Sequence, residues 1–180
     1  MIRIKDSEDN VKITDNLPVS EWEKFRKLRL RALQKEPQAF LVTYKETLSR
    51  PPEKWQNTLQ KVVDGESWLV FAKVADKLVG MIGAFQSEEN KKENEATIYG
   101  VYVDREMRGK GIGAKLMDGI LERLKKKNIS KVSLSVNKDQ ISAIKLYEKF
   151  EFRVAGEENL ILGDGKMHTE LVMEKISIIE

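Results

Sequence analysis

Arg108-Gly109-Lys110-Gly111-Ile112-Gly113 stands between two stretches of different period. Before it, Thr97, Ile98, Tyr99, Val101, Tyr102 and Val103 form an apolar run rich in β-branched and aromatic residues. After it, Leu116, Ile120 and Leu124 recur every four residues with Met117 and Leu121 beside them, the period of a helix with one apolar side. The segment from Tyr102 to Lys127 is therefore expected to run strand, basic glycine-rich turn, helix. Such a turn presents backbone N–H groups at a helix N-terminus, where the helix dipole adds positive potential. Gly109, Gly111 and Gly113 carry no side chain to hold an anion away. A phosphate-bearing ligand suits this turn; the plainer alternative is a tight strand-to-helix connection and nothing more.

The spacing rules out three familiar phosphate loops. A dinucleotide fingerprint needs G-x-G-x-x-G, and here the third glycine comes one residue early. An ATP-binding P-loop ends in Gly-Lys-Ser/Thr, whereas this chain continues Gly113-Ala114-Lys115. A kinase glycine loop requires a Val-Ala-Ile-Lys-like strand and a His-Arg-Asp loop, and the chain has neither.

Arg108-x-x-Gly111-x-Gly113 resembles the Q/R-x-x-G-x-G/A signature with which the GNAT superfamily of N-acetyltransferases binds the pyrophosphate of acetyl-CoA. Downstream, Leu134-Ser135-Val136-Asn137 and then Ala143-Ile144-Lys145-Leu146-Tyr147-Glu148-Lys149-Phe150 are similar to that family's next strand and helix. Upstream, Leu28-Arg29-Leu30-Arg31-Ala32-Leu33 with Pro37-Gln38-Ala39-Phe40 resembles its opening helices. The resemblance covers roughly residues 11–175. It implies a mixed α/β fold whose central, mostly antiparallel mixed sheet is flanked by helices. A single domain over 11–180 is expected, preceded by a strand or tail over 1–10.

The resemblance also implies roles. Arg108, Gly109, Lys110, Gly111, Ile112, Gly113 and Ala114 would hold the pyrophosphate of acetyl-CoA, the only cofactor implied. The pantetheine arm would run along the backbone of Val101, Tyr102 and Val103, with one N–H aimed at the thioester oxygen. Asn137, Gln140 and Ala143 would contact the cofactor from the far side, Gln140 standing where the family often has asparagine. Tyr147 aligns with the tyrosine that protonates the departing thiolate. Transfer from a phenol of pKa about 10 to a thiolate of about 8.5 is uphill by near 2 kcal/mol unless the phenol's pKa is lowered locally. An acceptor ammonium near pKa 10.4 must lose a proton before it attacks. Thr97 occupies the place of a family glutamate, which leaves Glu95, two residues earlier on the same strand face, as the first candidate base. Glu46 and Glu170 are further candidates, and His168 reads as structural. Glu151-Phe152 replaces the family's Gly-Phe, so the residue that favours a left-handed helix end is missing.

Composition agrees with a soluble globular chain. The 180 residues are 41% hydrophobic and 34% charged, long enough for one sizeable core. No apolar run approaches the 18 or so residues of a membrane span, and Met1-Ile2-Arg3-Ile4-Lys5-Asp6 has no apolar signal region. The chain has no cysteine, which agrees with a reducing cytoplasmic setting and leaves no thiol to carry an acyl intermediate. With one histidine besides, no metal site is expected. The 32 basic residues are interleaved with 29 acidic ones, unlike a nucleic-acid platform.

In chain order, Val11–Thr14 is expected as the first strand, and Ser20-Glu21-Trp22-Glu23 as a capping box opening a helix that ends before Pro37. Pro51-Pro52-Glu53 starts another helix carrying Trp55 and Leu59. Ser67–Val74 and Leu78–Gln86 pair across Ala75-Asp76-Lys77, with Gly80 and Gly83 marking a bulge. Further strands are expected at Glu95–Val103 and Lys131–Val136, then a helix capped by Asp139 and running through Lys149. Phe152–Leu162 and Lys166–Lys175 form a closing hairpin about Asp164-Gly165, on which a second subunit can pair to make a homodimer.

The expected activity is direct acetyl transfer from acetyl-CoA to the primary amine of a small molecule or peptide. A polyamine or amino sugar would favour an acidic pocket, for which Glu36, Glu46 and Glu53 are candidates. The competing class is a catalytically silent acyl-CoA sensor with the same fold.

Overall fold

The structure is a computed structural model that describes residues 10–89 and 94–176. The strand or tail expected over 1–10 therefore lies outside the described residues, Asn10 apart. Seven strands make one sheet: β1 (Val11–Thr14), β2 (Ser67–Val74), β3 (Lys77–Phe85), β4 (Glu95–Val103), β5 (Lys131–Asn137), β6 (Arg153–Ile161) and β7 (Met167–Ile176). Their spatial order is β1-β2-β3-β4-β5-β7-β6. Every neighbouring pair is antiparallel except β4 and β5. The expected mixed sheet is there, with β6 at one edge among the described residues.

Helices cover both faces. On one lie α1 (Trp22–Lys35) and α3 (Pro52–Val63), with a short α2 (Tyr44–Leu48) between them. They bury Phe25, Leu28, Trp55 and Leu59 against Leu69, Phe71 and Met81 of the sheet. Phe25 sets edge-on contacts with Trp55 at 5.4 Å and Phe71 at 5.6 Å. On the other face, α4 (Ile112–Lys126) and α5 (Ile141–Lys149) pack Leu116, Met117, Ile120 and Tyr147 onto Val70, Ile82, Ile98 and Leu134. Leu116, Met117 and Ile120 have no exposed surface, as their helical period required.

The feature that makes a site is where β4 and β5 part. Their ladder joins only Glu95–Thr97 to Lys131–Ser133. Past Thr97 and Ser133 no pairing joins them among the described residues, so their C-terminal halves leave a wedge. The cause is a bulge: the β3–β4 register shifts between Met81 and Gly83, and Gly100 on β4 has φ +65°. An extra residue bends and twists its strand, which here turns β4 away from β5. Gly83 is required opposite it, since a Cβ there would lie 2.6 Å from the Tyr99 ring.

Two helix starts differ from expectation. Ser20 does not cap α1, because Pro18 opens a 3-10 turn over Val19–Glu21 that runs straight into the helix. Ser20 is thus already in the turn, and Glu21 takes the cap position without a side-chain hydrogen bond. The capping box sits instead at α2, where Thr43 Oγ1 accepts from the Glu46 N–H (3.1 Å) and Glu46 accepts from the Thr43 N–H (3.0 Å). Likewise Asp139 does not cap α5: its own N–H donates to Asn137 Oδ1, and Gln140 is the cap residue.

The end of α5 resolves the missing glycine. Glu151 takes the left-handed conformation itself, at φ +67°. The Phe152 N–H reaches Tyr147 O and the Glu151 N–H reaches Glu148 O, the two bonds of a Schellman ending. The accompanying apolar contact is the Phe152 ring edge-on to Tyr147 at 6.2 Å. A left-handed non-glycine residue costs roughly 1–2 kcal/mol. Glu151→Gly is expected to relieve most of that, at the loss of one exposed pair with Lys175 (2.8 Å). A rise in Tm of about 2–4 °C would show it by calorimetry, for a chain of this size.

Candidate active site

The glycine turn lies at the mouth of the wedge, following β4 directly. Asp104 leaves the strand, Arg105–Met107 make a 3-10 turn, and Arg108 leads into the glycines. Gly109 and Gly111 have φ +76° and +75°, with open space where a Cβ would project. Gly111 caps α4 without a side-chain hydrogen bond, which leaves the first N–H groups of the helix without a side-chain cap among the described residues. Gly113 has a different reason to be glycine: a Cβ would meet Leu146 Cδ2 at 3.1 Å, so it sets how closely α4 approaches α5. A helix start with a glycine cap and two left-handed glycines with open space at their Cβ positions fit a pyrophosphate.

Three ion pairs fasten this loop to α1. Arg31 grips the buried Asp104 with two bonds of 2.8 Å and donates a third to Leu78 O. Glu36, just past the end of α1, receives Arg105 Nε at 2.9 Å and Arg108 Nη2 at 3.1 Å. Partial burial opposes ionisation of Glu36, but hydrogen bonds from Arg105 and Gln38 and the Arg108 charge hold its carboxyl below the usual range. Arg108 also donates Nε to Val103 O (2.9 Å). Part of the Arg108 side chain thus shapes the turn from within. Nothing local in the sequence marked Arg31 and Glu36 for this task.

The sequence-derived residues fall into two groups. Val101, Tyr102 and Val103 lie on the stretch of β4 that has left β5, and Gln140 and Ala143 are half-buried at the start of α5. Tyr147 is buried on α5, and burial pushes its phenol well above the ordinary tyrosine range. The local lowering that would ease proton transfer is absent; burial instead keeps the hydroxyl protonated. Asn137 is committed within the protein: its Nδ2 donates to Gln38 O (3.1 Å) and to His168 Nδ1 (3.1 Å), and its Oδ1 accepts from Asp139. His168 donates its other ring nitrogen to Asp164 at 2.9 Å, which makes it a brace of the hairpin turn.

The candidate bases separate as well. Glu95 sits where β4 and β5 are still paired, held by Lys131 at 3.0 Å. Glu46 is held in its capping box. Glu170, on β7 opposite Asn137, is buried, and burial with the nearby Glu158 charge raises its pKa. By strand alternation Glu170 lies on the face opposite Met173, the face that α1 and α3 share.

On that face a cavity of about 160 Å3 opens between α1, α3 and β4, lined among others by Arg29, Arg50, Trp55, Tyr99 and Gly100. The expected acidic set does not line it. Glu36 is tied to the loop arginines, Glu46 to Thr43, and Glu53 stands exposed in the first turn of α3. Arg29 was legible in principle, because it falls four residues after Phe25 on the buried side of α1.

The family described as acetyltransferase (GNAT) family matches residues 22–152. A mycothiol acetyltransferase of Brachybacterium faecium is 28% identical over 131 residues, 73% of this chain and 37% of its own length. A spermine/spermidine N(1)-acetyltransferase of Bacillus subtilis is 31% identical over 84 residues, 44% of this chain and 55% of its own. The chain thus spans about a third to a half of the curated relatives it matches. A Salmonella typhimurium structure solved with its cofactor acetyl-CoA superposes with a TM-score of 0.80, at 12% identity, covering 95% of this chain and 96% of that one. At that identity the likeness is one of fold.

Proposed function

The chain belongs to the acetyltransferase (GNAT) family, and from that membership we propose that it moves an acetyl group from acetyl-CoA directly to a primary amine. The observation that carries this reading is the β4/β5 wedge with an uncapped, glycine-flanked helix start at its mouth. The turn from Arg108 to Ala114 holds the pyrophosphate, and the free edge of β4 at Val101–Val103 holds the pantetheine. Gln140 and Ala143 line the opposite side, and Asn137 supports that wall through its own hydrogen bonds.

Acetyl-CoA supplies an activated acyl group and a good leaving thiolate. The amine lone pair attacks the thioester carbonyl carbon, the carbon–sulfur bond breaks, and the electron pair leaves on sulfur. A β4 N–H stabilises the charge that develops on oxygen. Tyr147 donates its hydroxyl to the sulfur. The attacking nitrogen loses its extra proton to a carboxylate, for which Glu170, buried and raised in pKa, is better suited than Glu95 in its pair with Lys131.

Calorimetric titration of acetyl-CoA tests the premise. The wild type should bind, and Gly111→Glu, which places a carboxylate on the anion site at φ +75°, should weaken binding by at least about a hundredfold. A folded wild type that does not bind would overturn the proposal. A silent acyl-CoA-binding module is the second reading, favoured by the ion pair that occupies Glu95.

A further inference from the structure

The cavity beside Gly100 has an apolar floor of Phe25, Leu69 and Met81, and its polar side chains all carry hydrogen-bond donors. Arg29 leans its guanidinium on the Phe40 ring at 4.7 Å, and its Nη1 lies 3.0 Å from where a Gly100 Cβ would stand. Among the described residues it has neither a hydrogen bond nor a carboxylate partner. Burial, with the repulsion of Arg50, pushes its pKa down to about 10 against the opposing pull of Tyr99, yet it stays cationic at neutral pH. Arg50 brings a second positive charge to the same cavity. Trp55, whose buried indole N–H has no partner among the described residues, and Tyr99 also line the cavity. Among the described residues no carboxylate lines the cavity. Glu46 feels the Arg50 charge but is held by Thr43.

A half-buried, unpaired guanidinium is costly unless an anion completes it. The geometry points to an acceptor amine that carries a carboxylate, an amino acid or a close analogue, seated on Arg29 and Arg50. This assignment rests on the acetyltransferase reading and names the substrate class for it. Arg29 abuts Gly100, where β4 turns away from β5 and immediately precedes the Val101–Val103 edge. A carboxylate bonded to Arg29 at about 2.8 Å is within one short carbon skeleton of that edge, so its amine can reach the thioester. A volume of about 160 Å3 corresponds to roughly five waters, which suits a small side chain. A polyamine would bring cations against two arginines and is disfavoured.

The test uses the full chain saturated with CoA, titrated with the twenty common amino acids, their carboxamides and spermidine. In parallel, acetyl-CoA turnover is followed by thiol release. At least one amino acid is expected to bind and be acetylated, with kcat/KM at least about tenfold above its carboxamide. Arg29→Met keeps the apolar stem against Phe40 and should raise KM for that amino acid at least about tenfold, with acetyl-CoA affinity unchanged. Binding of acetyl-CoA without any amino-acid binding, equal use of amide and acid, preference for spermidine, or an unchanged KM in Arg29→Met would each overturn this inference. Failure to bind acetyl-CoA would overturn the acetyltransferase reading instead.

Discussion

Arg31→Ala should destabilise the protein by about 3 kcal/mol, the low end of what breaking a buried ion pair costs. Asp104 is 4% exposed at its side chain, and Arg31 is its two-bonded partner at 2.8 Å. Lys77 stands 3.8 Å away on a mostly exposed stem and can recover only part of the loss. The Leu78 carbonyl loses its Arg31 donor too. For a chain of this size the deficit corresponds to a fall in Tm of about 6–12 °C. Asp104→Asn added to Arg31→Ala should restore part of the stability. Because Asp104 opens the segment leading to Arg108, acetyl-CoA affinity should fall with it. A Tm unchanged within 1–2 °C would show that solvent or Lys77 takes over the pair.

Tyr147→Phe should lower kcat by about a hundredfold, the smaller end of what a positioned proton donor contributes, while acetyl-CoA affinity stays within about twofold. The substitution leaves the buried ring and its contact with Phe152 in place, so stability is not the confounder. The raised phenol pKa has a definite sign for pH behaviour. Its proton is retained through and beyond the ordinary tyrosine range, so Tyr147 should impose no alkaline limb on kcat up to about pH 10. Any stability linked to that buried neutral phenol is full below the unfolded value near 10 and is lost only as pH rises toward the folded value. The same elevation makes complete proton transfer costlier than for a free phenol. Tyr147 therefore serves the leaving sulfur first as a hydrogen-bond donor. A kcat that ignores the substitution would favour the silent acyl-CoA-binding module.

Much of the architecture was legible in the chain alone, because local patterns dictated it. Leu116, Ile120 and Leu124 could bury one side of a helix only at a helical period, and they do so completely. Gly109 and Gly111 marked backbone that an L side chain rarely adopts, and both have positive φ. Pro51-Pro52 and Asp164-Gly165 placed a helix start and a hairpin turn where the structure has them. Local signals failed where neighbours compete. Ser20-x-x-Glu23 has the letters of a capping box, but Pro18 begins the turn earlier. Asp139 has the letter of a cap, but the Asn137 side chain takes its N–H. Glu151 lacks the expected glycine, yet Phe152 packing on Tyr147 holds it left-handed.

The sequence by itself determined the order of elements, the glycine turn and the family, since these depend on residues close along the chain. Only the tertiary structure decided which charges meet. Arg31 and Asp104 are 73 positions apart, and Arg108 and Glu36 are 72. Glu95 looked free for chemistry until β5 set Lys131 beside it. Arg29 meets Gly100 at the β4 bulge and shares a cavity with Arg50. Pairings of that kind depend on which strand lies next to which and on what burial removes from water. Neither has a local trace in the order of residues.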